Sequence, residues 1–158
     1  MNFTLLIGSF ARGTGDVNSD IDILRIGHTR SVRRPVKVDR RIPVSYVDFD
    51  SKSFSKLYDD GSLFLYHAFM EGKLLSGDGD KWCRLKTRFF VSSDYRDSIN
   101  EYIDVLDYID CYPDFEYSQV PYLSNIFKYL KNIGIFKLAS EGCYIFDKSR
   151  PKGPGSRY

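Results

Sequence analysis

A Gly-Ser pair and three carboxylates within the first fifty residues have the residue types and spacing of a metal-dependent phosphate site. Gly8 and Ser9 end a short apolar run, and ten residues separate Ser9 from the segment Asp20-Ile21-Asp22. Glycine lets an anion approach the main chain closely. Carboxylates at positions i and i+2 of a strand point the same way and can share a divalent ion. Asp48, on a later alternating segment, would complete an oxygen-rich cluster of the kind that binds Mg²⁺.

Such a cluster can support nucleotidyl transfer. Two ions about 3.5–4 Å apart hold a triphosphate, lower the pKa of an attacking hydroxyl and stabilise the leaving pyrophosphate. The third carboxylate is open between Asp48 and Asp50, which alternation places on one face of the same strand. Asp48 is preferred because Val47 and Phe49 flank it inside the strand, whereas Asp50 lies near the strand end.

Two segments resemble the signature of the DNA polymerase beta-like nucleotidyltransferase superfamily, and above all its minimal, antitoxin-like members. They are Gly-Ser-Phe-Ala-Arg-Gly at residues 8–13 and Ser-Asp-Ile-Asp-Ile-Leu at residues 19–24. The resemblance extends over residues 3–75. A separate Asp-x-Asp would be weak evidence, but the combined pattern and spacing are specific.

The resemblance implies a role for each residue of the pattern. Gly8 and Ser9 would hold the nucleotide phosphates, and Asp20 and Asp22 would ligate both metal ions. Asp48 would ligate the catalytic ion and help to deprotonate the acceptor hydroxyl. Arg12 has two open interpretations, since it could bind the triphosphate or neutralise Asp16.

The function implied by the resemblance is Mg²⁺-dependent transfer of a nucleoside monophosphate, AMP from ATP, to a hydroxyl of a macromolecule. The acceptor would be a protein, such as a HEPN-type toxin that an antitoxin adenylylates, or an RNA. One alternative is a non-catalytic nucleotide-sensing or contact-antitoxin module with the same fold. Another is the catalytic half of a longer enzyme that modifies tRNA or antibiotics.

The pattern of apolar residues predicts an α+β fold, a small mixed-sheet core followed by helices. Residues 1–90 are predicted to form the core, residues 91–146 a helical segment, and the basic Gly/Pro-rich residues 147–158 a disordered tail. The predicted strands are residues 3–7, 20–26, 41–50 and 73–75. The first predicted helix runs from an N-cap at Ser53 to a stop at Gly72, either continuous or interrupted at Gly61. The others run from Tyr95 to Ile109, and from Pro121 to a kink or end at Gly134.

Composition and charge exclude several classes of protein. No apolar run reaches the roughly 18 residues that a membrane span requires. Cys83, Cys111 and Cys143 form no CxxC pair, which argues against a disulfide scaffold or a cysteine zinc site and favours the cytoplasm.

Residues 25–41 carry seven Lys or Arg against one acid, which is typical of a solvated hairpin or of a segment that binds a polyanion. His67, among apolar neighbours, is predicted to be packed rather than a metal ligand.

Overall fold

The chain divides into two compact units, Met1–Ser92 and Ser93–Tyr158. The computed structural model describes residues 2–27, 42–107, 119–147 and 150–152. Both helices and strands are present, and the predicted α+β fold class with a mixed sheet is confirmed.

The first unit contains a four-stranded mixed sheet. Its strands are β1 (Phe3–Ile7), β2 (Ile21–Ile26), β3 (Val44–Phe49) and β4 (Lys73–Ser76), in the spatial order β3-β2-β1-β4. β1 is antiparallel to both β2 and β4, whereas β2 and β3 are parallel. The sequence prediction that residues 73–75 form an edge strand is therefore confirmed. Through this order, the end of β1 lies beside the start of β2.

Four helices of the first unit accompany the sheet. They are α1 (Gly8–Arg12), α2 (Ser51–Asp59), α3 (Leu63–Glu71) and α4 (Gly79–Arg88). One hydrophobic core joins α2, α3 and α4 to one face of the sheet, with Leu5 and Leu24 completely buried. Aromatic rings fill its centre, since the Trp82 ring lies 4.6 Å from the Phe69 ring and 5.2 Å from the Phe3 ring, centroid to centroid. Such aromatic contacts stabilise the core beyond the apolar area that they bury.

Two helix starts differ from those predicted. Asp50, rather than Ser53, caps α2, because its backbone is extended and its carboxylate accepts a 2.7 Å hydrogen bond from the Ser53 N–H. The start of α4 was not predicted from the sequence, and Asp78 caps this helix by accepting a hydrogen bond from the Lys81 N–H. In both places an aspartate satisfies a backbone donor that has no partner within the helix.

The second unit is built on an antiparallel helix pair. Within the described residues, its elements are α5 (Arg96–Asp107), α6 (Gln119–Ser140), β5 (Tyr144–Asp147) and β6 (Arg150–Lys152). Tyr95 stacks on Phe136 at 5.3 Å, and Tyr102 contacts Tyr129 at 5.7 Å, between ring centroids. The Asn132 amide donates a hydrogen bond to the Tyr102 hydroxyl. Aromatic side chains therefore hold α5 and α6 together.

Two predictions for the second unit need correction. Gly134 does not end α6, which continues to Ser140, because apolar residues on both sides of the glycine remain half-buried. β6 pairs with β5, so residues 150–152 are a strand rather than a disordered tail. Residues 148–149 and 153–158 of that predicted tail lie outside the described part of the chain.

None of the helices within the described ranges has both the length and the apolar character needed to cross a membrane.

Candidate functional site

The end of β1 and the start of β2 bring Gly8 against Asp22. Antiparallel pairing sets Ile7 opposite Asp22, and Gly8 follows with a φ of +72°. A Cβ atom built on Gly8 would lie 2.5 Å from Oδ2 of Asp22, which is closer than such atoms approach in proteins. Only glycine satisfies both the positive φ and this close approach. The structure therefore brings Gly8 and the Asp22 carboxylate together.

Asp20 and Asp22 are close enough to interact electrostatically. Asp22 is half-buried at the beginning of β2, and Asp20 is exposed immediately before that strand. Burial raises the pKa of the Asp22 carboxyl, the negative charge of Asp20 raises it further, and the charge of Arg12 opposes both effects. A cation beside the two carboxylates would relieve this repulsion, as expected of a metal-binding pair.

Arg12 is anchored to α3. Its Nη1 donates a 3.1 Å hydrogen bond to Oε2 of Glu71 and lies 3.4 Å from Nε2 of His67. Oε2 of Glu71 is in turn 3.2 Å from the same His67 nitrogen. The Glu71 side chain is only 6% exposed, so this ion pair is well shielded from water. The interpretation in which Arg12 neutralises Asp16 is wrong, because the guanidinium is paired with Glu71.

Asp16 instead organises the loop between α1 and β2. Its Oδ1 accepts hydrogen bonds from the Asn18 N–H and from the Ser19 hydroxyl, each 2.9 Å long. The Ser19 hydroxyl also lies 3.1 Å from the Asp16 N–H, which donates to it. This Asx-type turn fixes the chain immediately before Asp20. The serine of the Ser-Asp-x-Asp pattern therefore has a structural role in the described loop.

His67 is packed and partly buried, as predicted from its apolar neighbours. Burial lowers the pKa of its imidazole, and the nearby Glu71 carboxylate opposes that effect. Sequence reasoning missed the cluster that His67 forms with Arg12 and Glu71. The signal was present, because His67 and Glu71 are four residues apart on a helix and so share one side of it.

Asp48 does not join the carboxylate pair. In the parallel register it lies opposite Arg25, whose Nε and Nη2 donate to its two carboxylate oxygens at 2.6 and 2.5 Å. The Arg25 guanidinium also covers the Tyr46 ring at 4.7 Å from the centroid. Arg25 is three residues from Asp22, so alternation places it, and Asp48 with it, on the opposite face of the sheet. The structure therefore does not bring Asp48 together with Asp20 and Asp22, contrary to the grouping expected from the sequence.

Asp50, the other candidate for the third carboxylate, is also engaged elsewhere. Its hydrogen bonds to the first turn of α2 lower the pKa of its carboxyl below the usual range. An ionised carboxylate is the form that a helix N-terminus favours. Asp50 therefore acts as a helix cap.

Ser45, and not a carboxylate, is the β3 residue directly beside Asp22. The register pairs Ser45 directly with Asp22, so both residues lie on the same face of neighbouring strands. Among the residues that the structure describes, no three His, Cys, Asp or Glu side chains lie close enough together to hold a metal ion. The site thus combines two carboxylates with a hydroxyl.

Neither a scan against protein-family models nor a search of curated proteins found a match for this chain. Its geometry supplies two adjacent carboxylates, a glycine that exposes the main chain, and the Ser9 hydroxyl at the start of α1. These groups suit one divalent cation together with phosphate oxygens. Of the predicted basic segment at residues 25–41, residues 28–41 lie outside the described ranges.

Proposed function

We propose that this protein binds a Mg²⁺–nucleoside triphosphate at Gly8, Ser9, Asp20 and Asp22, and that it acts as a nucleotide-sensing module. The observation that carries this proposal is the position of Ser45 beside Asp22, where nucleotidyl transfer calls for a third carboxylate. A serine hydroxyl is a weak metal ligand and a poor general base compared with a carboxylate. The site would therefore bind the nucleoside triphosphate without catalysing nucleotidyl transfer.

The residues fit one metal ion. Asp20 and Asp22 would hold Mg²⁺, which would neutralise part of the triphosphate charge when bound. The raised pKa of the Asp22 carboxyl supports this, because a group that is unfavourable as an anion in the empty protein gains most from a cation. Gly8 exposes its main chain to the phosphates, and Ser9 offers a hydroxyl. Arg12, tied to Glu71, adds positive charge beside Asp22.

Calorimetric titration with Mg²⁺ and each of the four nucleoside triphosphates tests this proposal. We expect Asp22→Asn to weaken Mg²⁺-dependent binding at least tenfold, since one of only two carboxylates is lost. Asp48→Asn is the matched control, because it removes a carboxylate from the opposite face and should leave the affinity within about twofold. Equal loss in both variants would contradict the site.

A second candidate is the full transfer reaction to a HEPN-type toxin or an RNA. The adjacent carboxylates Asp20 and Asp22 favour it, because both ligate metal in the reaction that the sequence resemblance implies. Incubation with α-labelled ATP, Mg²⁺ and a cell lysate distinguishes the candidates. Label transferred to a protein or RNA band by the wild type, but not by Asp20→Asn, would establish the enzyme and overturn the sensing role.

Ser45→Asp provides the complementary experiment. If the missing carboxylate is what prevents transfer, this variant should gain Mg²⁺-dependent labelling of an acceptor, whereas Ser45→Asn should not. Binding without transfer in both variants would show that more than the third carboxylate is lacking.

We place this activity in the cytoplasm, in keeping with the spacing of the cysteines.

A further inference from the structure

One side of α6 exposes a stripe of large apolar side chains. The stripe consists of Val120, Leu123, Phe127 and Leu130, with 72%, 57%, 68% and 55% of their surfaces exposed. Intervals of three and four residues place all four on one side of the helix. Another side of the same helix packs on α5 through Tyr129 and Phe136. α6 is therefore apolar on more than one side.

Such a stripe has the pattern of a helix-packing surface. Single exposed apolar residues are common, but a continuous row along a helix is typical of an interface with another helix. The partner should itself be helical and should present apolar residues beside charges opposite to those of α6.

The charges of α5 and α6 are opposite. In α5, four acids against one base give a formal charge of −3. In α6, three lysines and no acid give +3. The α5 acids Glu101 and Asp104 are exposed, and Ile103 beside them is 41% exposed. Lys128 and Lys131 are exposed on α6, and Lys131 lies one turn after Phe127 of the stripe. The side of α5 that carries Glu101, Ile103 and Asp104 is called its outer side. It is complementary in charge to the exposed side of α6, and both sides also expose apolar residues.

We propose that two copies of this chain associate through their second units to form a four-helix bundle in which α5 and α6 alternate. The stripe of each α6 packs against the outer side of α5 in the other copy, so that every neighbouring pair joins an acidic helix to a basic one. This arrangement is two-fold symmetric and closed, which limits assembly to a dimer. It also covers the stripes of both copies.

The mass of the 158-residue chain in solution tests the dimer. Light scattering during size-exclusion chromatography should give twice the 18.3 kDa chain mass. Phe127→Lys should give a monomer, because it places a charge in the centre of the apolar stripe. Phe90→Lys is the matched control, since Phe90 is 83% exposed in the first unit. That variant should remain dimeric.

Several outcomes would overturn the proposal. They are a monomeric wild type at tens of micromolar, a dimeric Phe127→Lys variant, and a Phe90→Lys variant that dissociates. A monomeric wild type whose melting temperature falls on Phe127→Lys substitution would indicate that the stripe is covered within its own chain. Association only with a different protein would also count against the second copy.

Charge exchange tests the alternating order and does not depend on Phe127. The variants K128E/K131E and E101K/D104K each bring like charges together between copies, so each alone should be monomeric. An equimolar mixture restores opposite charges at both contacts between copies, and should form mixed dimers with at least a tenfold lower dissociation constant. Circular dichroism of each variant verifies that its helices form. If E101K/D104K alone remains dimeric, α5 takes no part in the interface and the proposed bundle is wrong.

Discussion

The Asp22 carboxylate should favour the binding of Mg²⁺, but its negative charge destabilises the folded protein at neutral pH. Burial and the charge of Asp20 raise the pKa of its carboxyl, so the ionised form is less favourable in the folded protein than in the unfolded chain. The folded protein therefore binds a proton at this site more readily. The free energy of unfolding therefore falls as the pH rises from the pKa of this carboxyl in the unfolded chain, 3.8, through its higher pKa in the folded protein.

We expect Asp22→Asn to increase the free energy of unfolding at pH 7 by up to about 0.5 kcal/mol, because it removes a partly buried charge. The gain should shrink as the pH falls towards 4, where the wild-type carboxyl also becomes neutral. Urea unfolding at several pH values measures it. Mg²⁺ should stabilise the wild type but have little effect on Asp22→Asn. A variant that is less stable than the wild type at pH 7 would contradict this prediction.

Gly8 allows a second prediction with an internal control. Gly8→Ala combines a positive φ with a close contact to Asp22, whereas Gly13→Ala has a similar φ of +76° and nothing within 4 Å of the added Cβ. Both should lose about 1–2 kcal/mol from the positive φ. Only Gly8→Ala should lose more and also weaken Mg²⁺–nucleotide binding. Chemical unfolding together with calorimetric titration compares them, and equal effects would show that the contact with Asp22 is unimportant.

Sequence reasoning grouped Gly8 with Asp22, and the structure brings these two residues together. Gly8 and Asp22 belong to adjacent segments, so their spacing determined that the strand ends meet. The partners of Arg12 could not be predicted, because they lie 55 and 59 residues away on α3. Distant side-chain pairs depend on how elements pack, and their sequence signal is weak.

β3 illustrates the same distinction for a whole element. Residues 41–50 were predicted to form a strand, and the structure has β3 at Val44–Phe49. The sequence also predicted the alternation of its faces. It could not predict which face joins the site, because that depends on the register with β2, and a shift by one residue exchanges the faces. The observed register directs Ser45 to the site face and Asp48 to the other.

The cap of α2 gives a prediction for a helix start. Asp50→Ala removes the acceptor for the Ser53 N–H, so the melting temperature should fall by a few degrees. Asp59→Ala, at an exposed position near the other end of α2, should change it little. Because capping lowers the pKa of Asp50, its contribution is present above pH 3.8 and disappears as the pH falls through the lowered value. Thermal melts at pH 7 and below pH 3.8 measure both effects, and equal melting temperatures of Asp50→Ala and the wild type at pH 7 would contradict the cap.

The two units of the molecule differ in the extent of their cores. The core around the sheet contains most of the buried apolar residues among those that the structure describes. In the described part of the second unit, the buried apolar residues are Tyr95 and Ala139. A unit with so small a core is expected to depend on further contacts for its stability.

We therefore expect residues 1–92 to fold cooperatively as a separate fragment, and residues 93–158 to unfold at low concentration. Trp82, the single tryptophan of the chain, reports on the first fragment because it lies in its core. Denaturant titration followed by tryptophan fluorescence and circular dichroism measures both fragments. Leu85, only partly buried on the same helix, provides a milder comparison: Leu85→Ala should reduce stability less than the about 3–5 kcal/mol expected for Trp82→Ala. A gradual, non-cooperative transition of residues 1–92 would contradict independent folding.

The position of β1 in the sheet has a consequence for synthesis on the ribosome. β1 is a central strand, and Leu5 pairs both with Leu24 in β2 and with Leu74 in β4. The first contact is available once Leu24 has been synthesised, but the second must wait for Leu74, fifty residues later in the chain. During that interval one edge of β1 has unsatisfied backbone groups, which another nascent chain could pair with. Slowing translation between residues 27 and 73 should therefore lengthen this vulnerable period and reduce the yield of native protein, whereas a pause after residue 76 should have little effect.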